Sequence, residues 1–235
     1  MLSLSEAEVT AENLRGAIYD STTIFPEGFV PADYGMMGPG SDLQLLFSLP
    51  PPRALDADGI NLSNALLAGG QLNGANLSGA NLTGAILDGA NLRDAILEGT
   101  NLAGAQMSDA DLTGANLRDA NLAGANLAGA DLQGADLEGA NVDGANLAGA
   151  NVEGANFSEV QGDLPPWLEA SLGPDGQASA ARLAAAIEGG QIPPDQLAGA
   201  NLAGADLAGN DEALAGANLA GANLDNAKLS EANLE

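Results

Sequence analysis

The sequence of 235 residues contains no cysteine and no histidine, and its six Lys and Arg residues are outnumbered by 32 Asp and Glu residues. Without cysteine, the chain has neither disulfide bonds nor thiolate metal sites. Without histidine as well, Ser- and Cys-based triads lack their usual base and zinc sites lack their usual ligands. The formal net charge of −26 disfavours direct nucleic-acid binding, because phosphate contacts need Lys and Arg. We therefore expect no cofactor, no bound metal and no direct nucleic-acid contact.

Long apolar runs are also missing. No window approaches the roughly eighteen continuous apolar residues of a membrane span, and the N-terminus, MLSLSEAEVT, has neither a basic region nor a long apolar stretch. No phosphate loop of the GxxxxGK[ST] type occurs. We therefore predict a cytoplasmic protein without membrane insertion, and not an enzyme.

What the sequence does contain is a five-residue repeat that runs without a break from Ile60 to Glu159. Each unit has a small residue, nearly always Ala, then Asn or Asp, then Leu, then two variable residues that usually end in Gly. A helix would need apolar positions at i, i+3, i+4 and i+7, and a period of five gives no single buried face. In an extended segment, by contrast, Ala75 and Leu77 point the same way and Asn76 points out.

Such units bury their apolar face only by stacking on their neighbours, as in a solenoid. The last two residues of each unit turn a corner, where Gly tolerates positive φ. One small residue and one Leu per side suit a narrow four-sided tube, so four units should make one coil. Residues twenty apart should then stack on one face.

The A(D/N)LxG run resembles the pentapeptide-repeat family, which is abundant in cyanobacteria. The resemblance implies an all-β solenoid, a right-handed quadrilateral β-helix. Counting the later units as well, we predict about seven coils, with an N-terminal cap segment and a short α-helical insertion.

The breaks in the repeat predict four segments. Residues 1–59 lack the period and are interpreted as an N-terminal cap; residues 60–159 form the main β-helix; residues 160–194 form a helical insertion; and residues 195–235 continue the β-helix. Phe157 and Leu197 are forty residues apart, which predicts that the insertion follows a complete coil and returns in phase. The two-residue surplus Asn210-Asp211 predicts a bulged corner.

The twenty-residue spacing sorts the acidic residues onto faces. We number the faces one to four from the units centred on Leu62, Leu67, Leu72 and Leu77. Face one has a single acid, Asp143, and a ladder of Asn residues that can simply stabilise stacking. Most acids are on face three (Asp94, Asp111, Asp131 and Glu153) and face four (Glu98, Asp119, Asp136, Glu138 and Glu159). Arg93 and Arg118 are expected to pair with acids nearby.

From this pattern we select six candidate partner-facing residues: Asp111, Asp131, Asp136, Glu138, Glu153 and Trp167. Trp167, the only tryptophan, has two interpretations: it anchors the insertion on the tube, or it contacts a partner.

Two functions remain open. The favoured one is a non-enzymatic, rigid scaffold for a protein partner of unknown identity. The alternative rests on the resemblance, because some family members mimic the width and negative charge of DNA and bind DNA gyrase, which they protect or inhibit. The chain departs from those members in having Phe157 as its single central Phe and in its insertion. A homodimer through the C-terminal coil is a further prediction.

Overall fold

The computed structural model describes residues 58–59, 61–208 and 214–230. From residue 61 to residue 160, each five-residue unit forms one short extended segment followed by one turn. The Ala and Leu positions point inward as predicted: Ala115 and Leu117 are fully buried, and Asn116 between them is half-buried. The residues that replace Leu are buried too: Met107, Val142, Val152 and Phe157.

Each corner is a four-residue turn, closed for example by a hydrogen bond of 3.0 Å from the Ala80 N–H to the Leu77 carbonyl. The third residue of this turn, Gly79, has a φ of 62°. A turn with positive φ at its third residue alone is a type II turn, which favours Gly there. Non-glycine residues with φ between 55° and 57° occupy this position six times in the described residues: Asn64, Asp94, Asp109, Asp119, Glu159 and Asn226.

Units twenty residues apart stack in parallel. Asn121 pairs with Asn101 on one side and with Asn141 on the other. The Leu122 N–H donates to the Asn141 carbonyl at 2.7 Å. Four units therefore make one coil, and residues 61–160 form five successive coils of a four-sided β-helix whose core is the column of inward Leu and Ala side chains.

The repeat stops after Gln161 and two helices follow. Helix α1 spans Pro166–Ser171, with Pro at its first position, and helix α2 spans Ala180–Glu188. Pro fits the first turn of a helix because the N–H that it lacks would have no intrahelical partner there. A short 3₁₀ helix, Pro194–Gln196, precedes the return to the repeat.

Residues 171–179 form a hairpin that sequence reasoning did not predict. Leu172 pairs with Ala178 in antiparallel fashion, and Gln177 pairs with Asn156 of the fifth coil, also antiparallel. Two backbone hydrogen bonds of 2.9 Å flank the second pair, from the Phe157 N–H to the Gly176 carbonyl and from the Ala178 N–H to the Ala155 carbonyl. The hairpin thus occupies the edge of the fifth coil on face four.

The predicted phase of the return is wrong. Asn201 donates its side-chain amide to Oδ1 of Asn151 at 3.3 Å, a spacing of 50 residues, whereas the forty-residue prediction would stack Asn201 on Gln161. The reason is that Gln161 already pairs with Asn141 on face one. The insertion therefore interrupts a coil after its first face instead of following a complete coil.

Two C-terminal rows follow, which we define as residues 196–208 and residues 218–230. Asn201 pairs with Asn223, and Asp206 pairs with Lys228. Their spacing of 22 residues agrees with a two-residue surplus between the rows. Asn210, Asp211, the predicted cap up to residue 57 and the C-terminal residue Glu235 lie outside the described residues.

Candidate partner-facing surface

The outward Asn and Asp side chains hold the corners of the tube. Oδ1 of Asp111 accepts hydrogen bonds from the N–H of Thr113 at 3.0 Å and from its hydroxyl at 2.6 Å. Oδ1 of Asp131 likewise accepts from the N–H of Gln133 at 3.0 Å. Asn and Asp side chains readily accept from a backbone N–H two residues on. This local bond fixes where each carboxylate points.

An Asn in this position can also donate to the preceding coil, and an ionised Asp cannot. The Asn151 amide donates to Oδ1 of Asp131 at 3.0 Å, and the Asn121 amide donates to Oδ1 of Asn101 at 3.2 Å. Asp111 and Asp131 break this pattern, because they lie on adjacent coils with paired backbones and neither side chain can donate to the other. In the described part of the chain, no Lys or Arg forms a salt bridge with either carboxylate.

The acids of face four are partly neutralised instead. Arg118 contacts Glu138 through two nitrogens, with Nη2 at 2.7 Å from Oε1, and its Nη1 lies 3.2 Å from Oδ2 of Asp136. The hydrogen bonds to Glu138, and secondly the one to Asp136, raise the pKa of the Arg118 guanidinium above its ordinary value. Arg93 lies 3.9 Å from Asp94, so both predicted pairings of arginine with nearby acids occur.

Glu153 has a structural partner that the sequence did not indicate. Its Oε2 accepts a hydrogen bond of 2.7 Å from the backbone N–H of Ala180, the first residue of helix α2. The first N–H groups of a helix have no intrahelical acceptor, and a carboxylate is favourable at this end of the helix dipole. Ser179 precedes the helix, but its side chain accepts no capping hydrogen bond. Glu153 of the tube supplies the acceptor instead.

Trp167 lies in helix α1 and is only 2% exposed. Leu168 beside it is fully buried, and helix α1 packs against helix α2. The burial agrees with the first interpretation of Trp167, an anchor of the insertion. A side chain with so little exposed surface offers nothing to a partner, so we remove Trp167 from the candidate surface.

The six candidates therefore do not form one cluster. Asp111 and Asp131 stack on face three, Asp136 and Glu138 converge on Arg118 on face four, and Glu153 is engaged by helix α2. Among the described residues, no three acidic side chains are close enough together to hold a metal ion, and no helix there is both long and apolar enough to cross a membrane. The surface that remains accessible to a partner consists mainly of Asp111 and Asp131, with Asp136 and Glu138 on the adjoining face.

Comparison with known families gives one match. The sequence matches the family described as pentapeptide repeats over residues 60–99, 97–127, 125–160 and 213–235, which together make up more than half of the chain. The family match supports a right-handed quadrilateral β-helix for the repeat region. A comparison with curated proteins found no match.

Several solved structures are similar to parts of this chain. Rfr23, a pentapeptide-repeat protein of the cyanobacterium Cyanothece 51142, is 34% identical over 47% of this chain and 85% of its own, with a TM-score of 0.33. HetL of Nostoc sp. strain PCC 7120, which is involved in the regulation of heterocyst differentiation, is 32% identical over 54% of this chain and 65% of its own, with a TM-score of 0.29. A trypsin-treated variant of QnrB1, a plasmid-mediated fluoroquinolone resistance protein, is 25% identical over 44% of this chain and 59% of its own, with a TM-score of 0.28. The matches thus span less than two thirds of HetL and of this trypsin-treated QnrB1 variant.

Proposed function

Because this chain belongs to the pentapeptide-repeat family, we propose that it is a non-enzymatic, rigid scaffold that binds a protein partner through the acidic side of its β-helix. The observation that carries the proposal is the stacked pair Asp111 and Asp131 on face three. Both carboxylates are fixed by backbone hydrogen bonds, so a partner meets them already oriented. Neither has a Lys or Arg of the described chain as its counter-ion.

The partner's chemistry follows from this charge. Carboxylates of one sign on a surface attract a basic partner and raise its rate of association, and Asp111 and Asp131 are half-exposed. We therefore expect a partner with Lys and Arg side chains at its interface, and an interaction that weakens as salt is added.

The alternative is an acidic mimic of DNA that binds DNA gyrase. The net charge of −26 favours it. This alternative places Asp136 and Glu138 at the interface together with Asp111 and Asp131, and it predicts a change in gyrase-catalysed supercoiling when the purified protein is added. A scaffold for another partner leaves supercoiling unchanged.

We also propose one continuous tube of about seven coils in a cytoplasmic protein. In this arrangement residues 1–59 are the cap, residues 162–194 are the helical insertion and residues 195–235 continue the tube that residues 60–161 begin. The hydrogen bond of 2.9 Å from the Gly149 N–H to the Gly199 carbonyl supports continuity across the insertion.

A homodimer through the C-terminal coil is a part of this proposal. The inward residues Leu219, Leu224 and Leu229 of the second C-terminal row are half-buried, whereas Leu117 in the third coil is fully buried. Half-exposed apolar side chains at the edge of a coil favour association. Sedimentation of the purified protein would give the mass of a dimer, and a monomer at all concentrations would contradict this part.

The test of the scaffold uses two variants of equal charge. Asp111→Asn with Asp131→Asn neutralises face three, and Asp88→Asn with Asp143→Asn removes the same charge from faces one and two. Partners recovered from a native lysate by wild type and by the control, but not by the face-three variant, support the proposal. Equal recovery by all three proteins, with unchanged melting temperatures, would reject Asp111 and Asp131 as the binding surface.

A further inference from the structure

The hairpin of residues 171–179 lies where the next coil of a regular β-helix would lie. The edge of the fifth coil on face four offers the N–H groups of Gly154 and Phe157 and the carbonyl of Ala155. All three bind residues of the hairpin, at 2.9 Å each. We propose that the hairpin is a wedge that bends the β-helix between its fifth coil and the first C-terminal row, and that withdrawal of the hairpin straightens the tube.

The register of the C-terminal rows shows what the wedge displaces. Asn201 lies on Asn151 with an offset of 50 residues, and the same offset assigns Asp206 to the position on Asn156. Asn156 pairs with Gln177 of the hairpin instead. Among the described residues, the backbone of Asp206 pairs only with Lys228, on its far side.

On the other side of the tube, one backbone group comes closer than regular stacking allows. Adjacent rows of a β-structure lie 4.7–4.9 Å apart, so rows two apart should be separated by about 10 Å. A Cβ atom built on Gly149 would nevertheless lie 2.8 Å from the carbonyl oxygen of Gly221, which belongs to the second C-terminal row. Gly199 lies between them and binds both neighbours, accepting from the Gly149 N–H and donating to the Ala220 carbonyl, each at 2.9 Å. The pairing of Asn156 with Gln177 at face four, together with the close approach of Gly221 to Gly149 on the other side, is what a bend in the tube would produce.

The same backbone groups can serve two arrangements of the tube, one bent and one straight. Ala155 and Phe157 pair with the hairpin in the bent tube, and they would pair with the row of Asp206 in a straight one, in the manner of every earlier coil. The offset of 50 differs from the regular 20 by a multiple of the five-residue unit. The same side chains therefore point inward in the bent and in the straight tube. Elements with two discrete packings of this kind act as conformational switches.

The first experiment maps the edge of the fifth coil by disulfide cross-linking, which is clean because the chain has no cysteine. Paired residues lie within the Cα separation of 4.4–6.8 Å that a disulfide spans, and residues separated by an interposed strand do not. In the full chain, Asn156→Cys with Gln177→Cys should cross-link as fully as the control pair Asn126→Cys with Asn146→Cys. Asn156→Cys with Asp206→Cys should not. Ready cross-linking of positions 156 and 206 in the otherwise unchanged chain would overturn the wedge.

The second experiment weakens the wedge in the full chain. A Cβ atom on Gly176 would lie 2.8 Å from the backbone nitrogen of Ser158, and its φ is +73°. Gly190 in the same insertion also has a positive φ, +65°, but nothing within 4 Å. Gly176→Ala should therefore raise the yield of the 156–206 cross-link several-fold, and Gly190→Ala should leave it unchanged. An equal yield in both variants would contradict withdrawal.

The third experiment removes the wedge. Replacing residues 162–195 by the four residues Leu-Ala-Gly-Ala shortens the 50-residue offset between Asn151 and Asn201 to the regular twenty residues. In this shortened chain Asn156→Cys with Asp206→Cys should cross-link like the control pair, and spin labels at Gln106 and Lys228 should report a different separation from that in the full chain. An unchanged separation would show that the hairpin does not cause the bend. If the shortened chain fails to fold, the two full-chain experiments still decide the proposal.

Discussion

The carboxylate of Asp94 lies where a side chain at position 114 would have to begin. A Cβ atom built on Gly114 would be 2.6 Å from Oδ1 of Asp94, one coil away. Asp94 is one of the few non-glycine residues at a corner, and the corner that stacks on it has Gly. The same relationship joins Asn64 to Gly84 and Asp119 to Gly139, at 2.7 Å and 2.5 Å. A side chain at one corner would thus have to move before glycine could be replaced at the next corner.

Gly114→Ala should destabilise the tube more than Gly104→Ala. Both positions have positive φ, 66° and 65°, but a Cβ on Gly104 has nothing within 4 Å. The left-handed conformation alone costs an alanine about 1–2 kcal/mol, and at position 114 the contact with Asp94 adds to this cost. Thermal melting would show the difference. In an Asp94→Gly background the two substitutions should become equivalent, and a persisting difference would contradict the steric explanation.

Leu117→Ala should cost about 2–5 kcal/mol, the usual range for truncating a fully buried Leu. Leu117 is 0% exposed in the third coil, with coils on both sides. The matched control is Ile96→Ala, since Ile96 points outward and is 41% exposed; a change of about 0.5 kcal/mol is expected there. Denaturant unfolding measures both values. Equal losses would show that the alternation of inward and outward residues does not determine stability.

Much of the fold could be predicted because the repeat is local. The five-residue period requires the inward positions of Ala115 and Leu117, and stacking every twenty residues requires the pairing of Asn101 with Asn121. The insertion could not be predicted in the same way. Nothing near Gln177 in the sequence indicates that it pairs with Asn156, because that contact depends on where the chain returns in space.

The sequence predicts which acidic residues point outward, but not which of them are engaged in contacts within the protein. Charge and spacing indicate Asp111 and Asp131, whose outward direction follows from the period. The bond between Glu153 and Ala180 links residues 27 positions apart and has no local signal. The predicted register is wrong because Gln161 belongs to the β-helix, whose backbone it continues for one more face.

Arg118→Met should lower the melting temperature slightly at low salt and have little effect at high salt. Arg118 of the third coil neutralises Glu138 and Asp136 of the adjacent fourth coil. Without it the two carboxylates repel each other. Exposed charges are screened as ionic strength rises. Arg93→Met is the control, because the 3.9 Å contact between Arg93 and Asp94 lies within one unit. A loss that does not change with salt would indicate that Arg118 acts through packing.

The ion pair between Lys228 and Asp206 should give the C-terminal rows a defined pH range. Nζ of Lys228 lies 2.8 Å from Oδ2 of Asp206. The hydrogen bond from Lys228, followed by that from the Ala208 N–H, lowers the pKa of Asp206 below 3.8, and the bond to Asp206 raises the pKa of Lys228 above 10.5. An acid whose pKa is lowered on folding adds stability at pH values where it is ionised, and an amine whose pKa is raised on folding adds stability where it is protonated. The pair therefore contributes fully to stability between about pH 4 and pH 10.5.

The measurement is the melting temperature of wild type minus that of Lys228→Met at several pH values. The difference should be largest near neutral pH and should shrink as pH falls through the pKa of Asp206 or rises through that of Lys228. A difference that stays constant from acid to alkaline pH would show that the pair contributes nothing through its charges.

Glu153→Ala should loosen the insertion without disturbing the tube. Oε2 of Glu153 is the acceptor for the N–H of Ala180, and loss of a side-chain acceptor at a helix N-terminus costs about 0.5–2 kcal/mol. Hydrogen exchange should therefore accelerate in helix α2, and the amides of the first four coils should keep their protection. Glu153→Gln retains an acceptor oxygen but loses the charge, so its effect should be smaller. If Gln and Ala accelerate exchange equally, the charge at the helix end is the stabilising feature; if neither does, Glu153 does not hold the insertion on the β-helix.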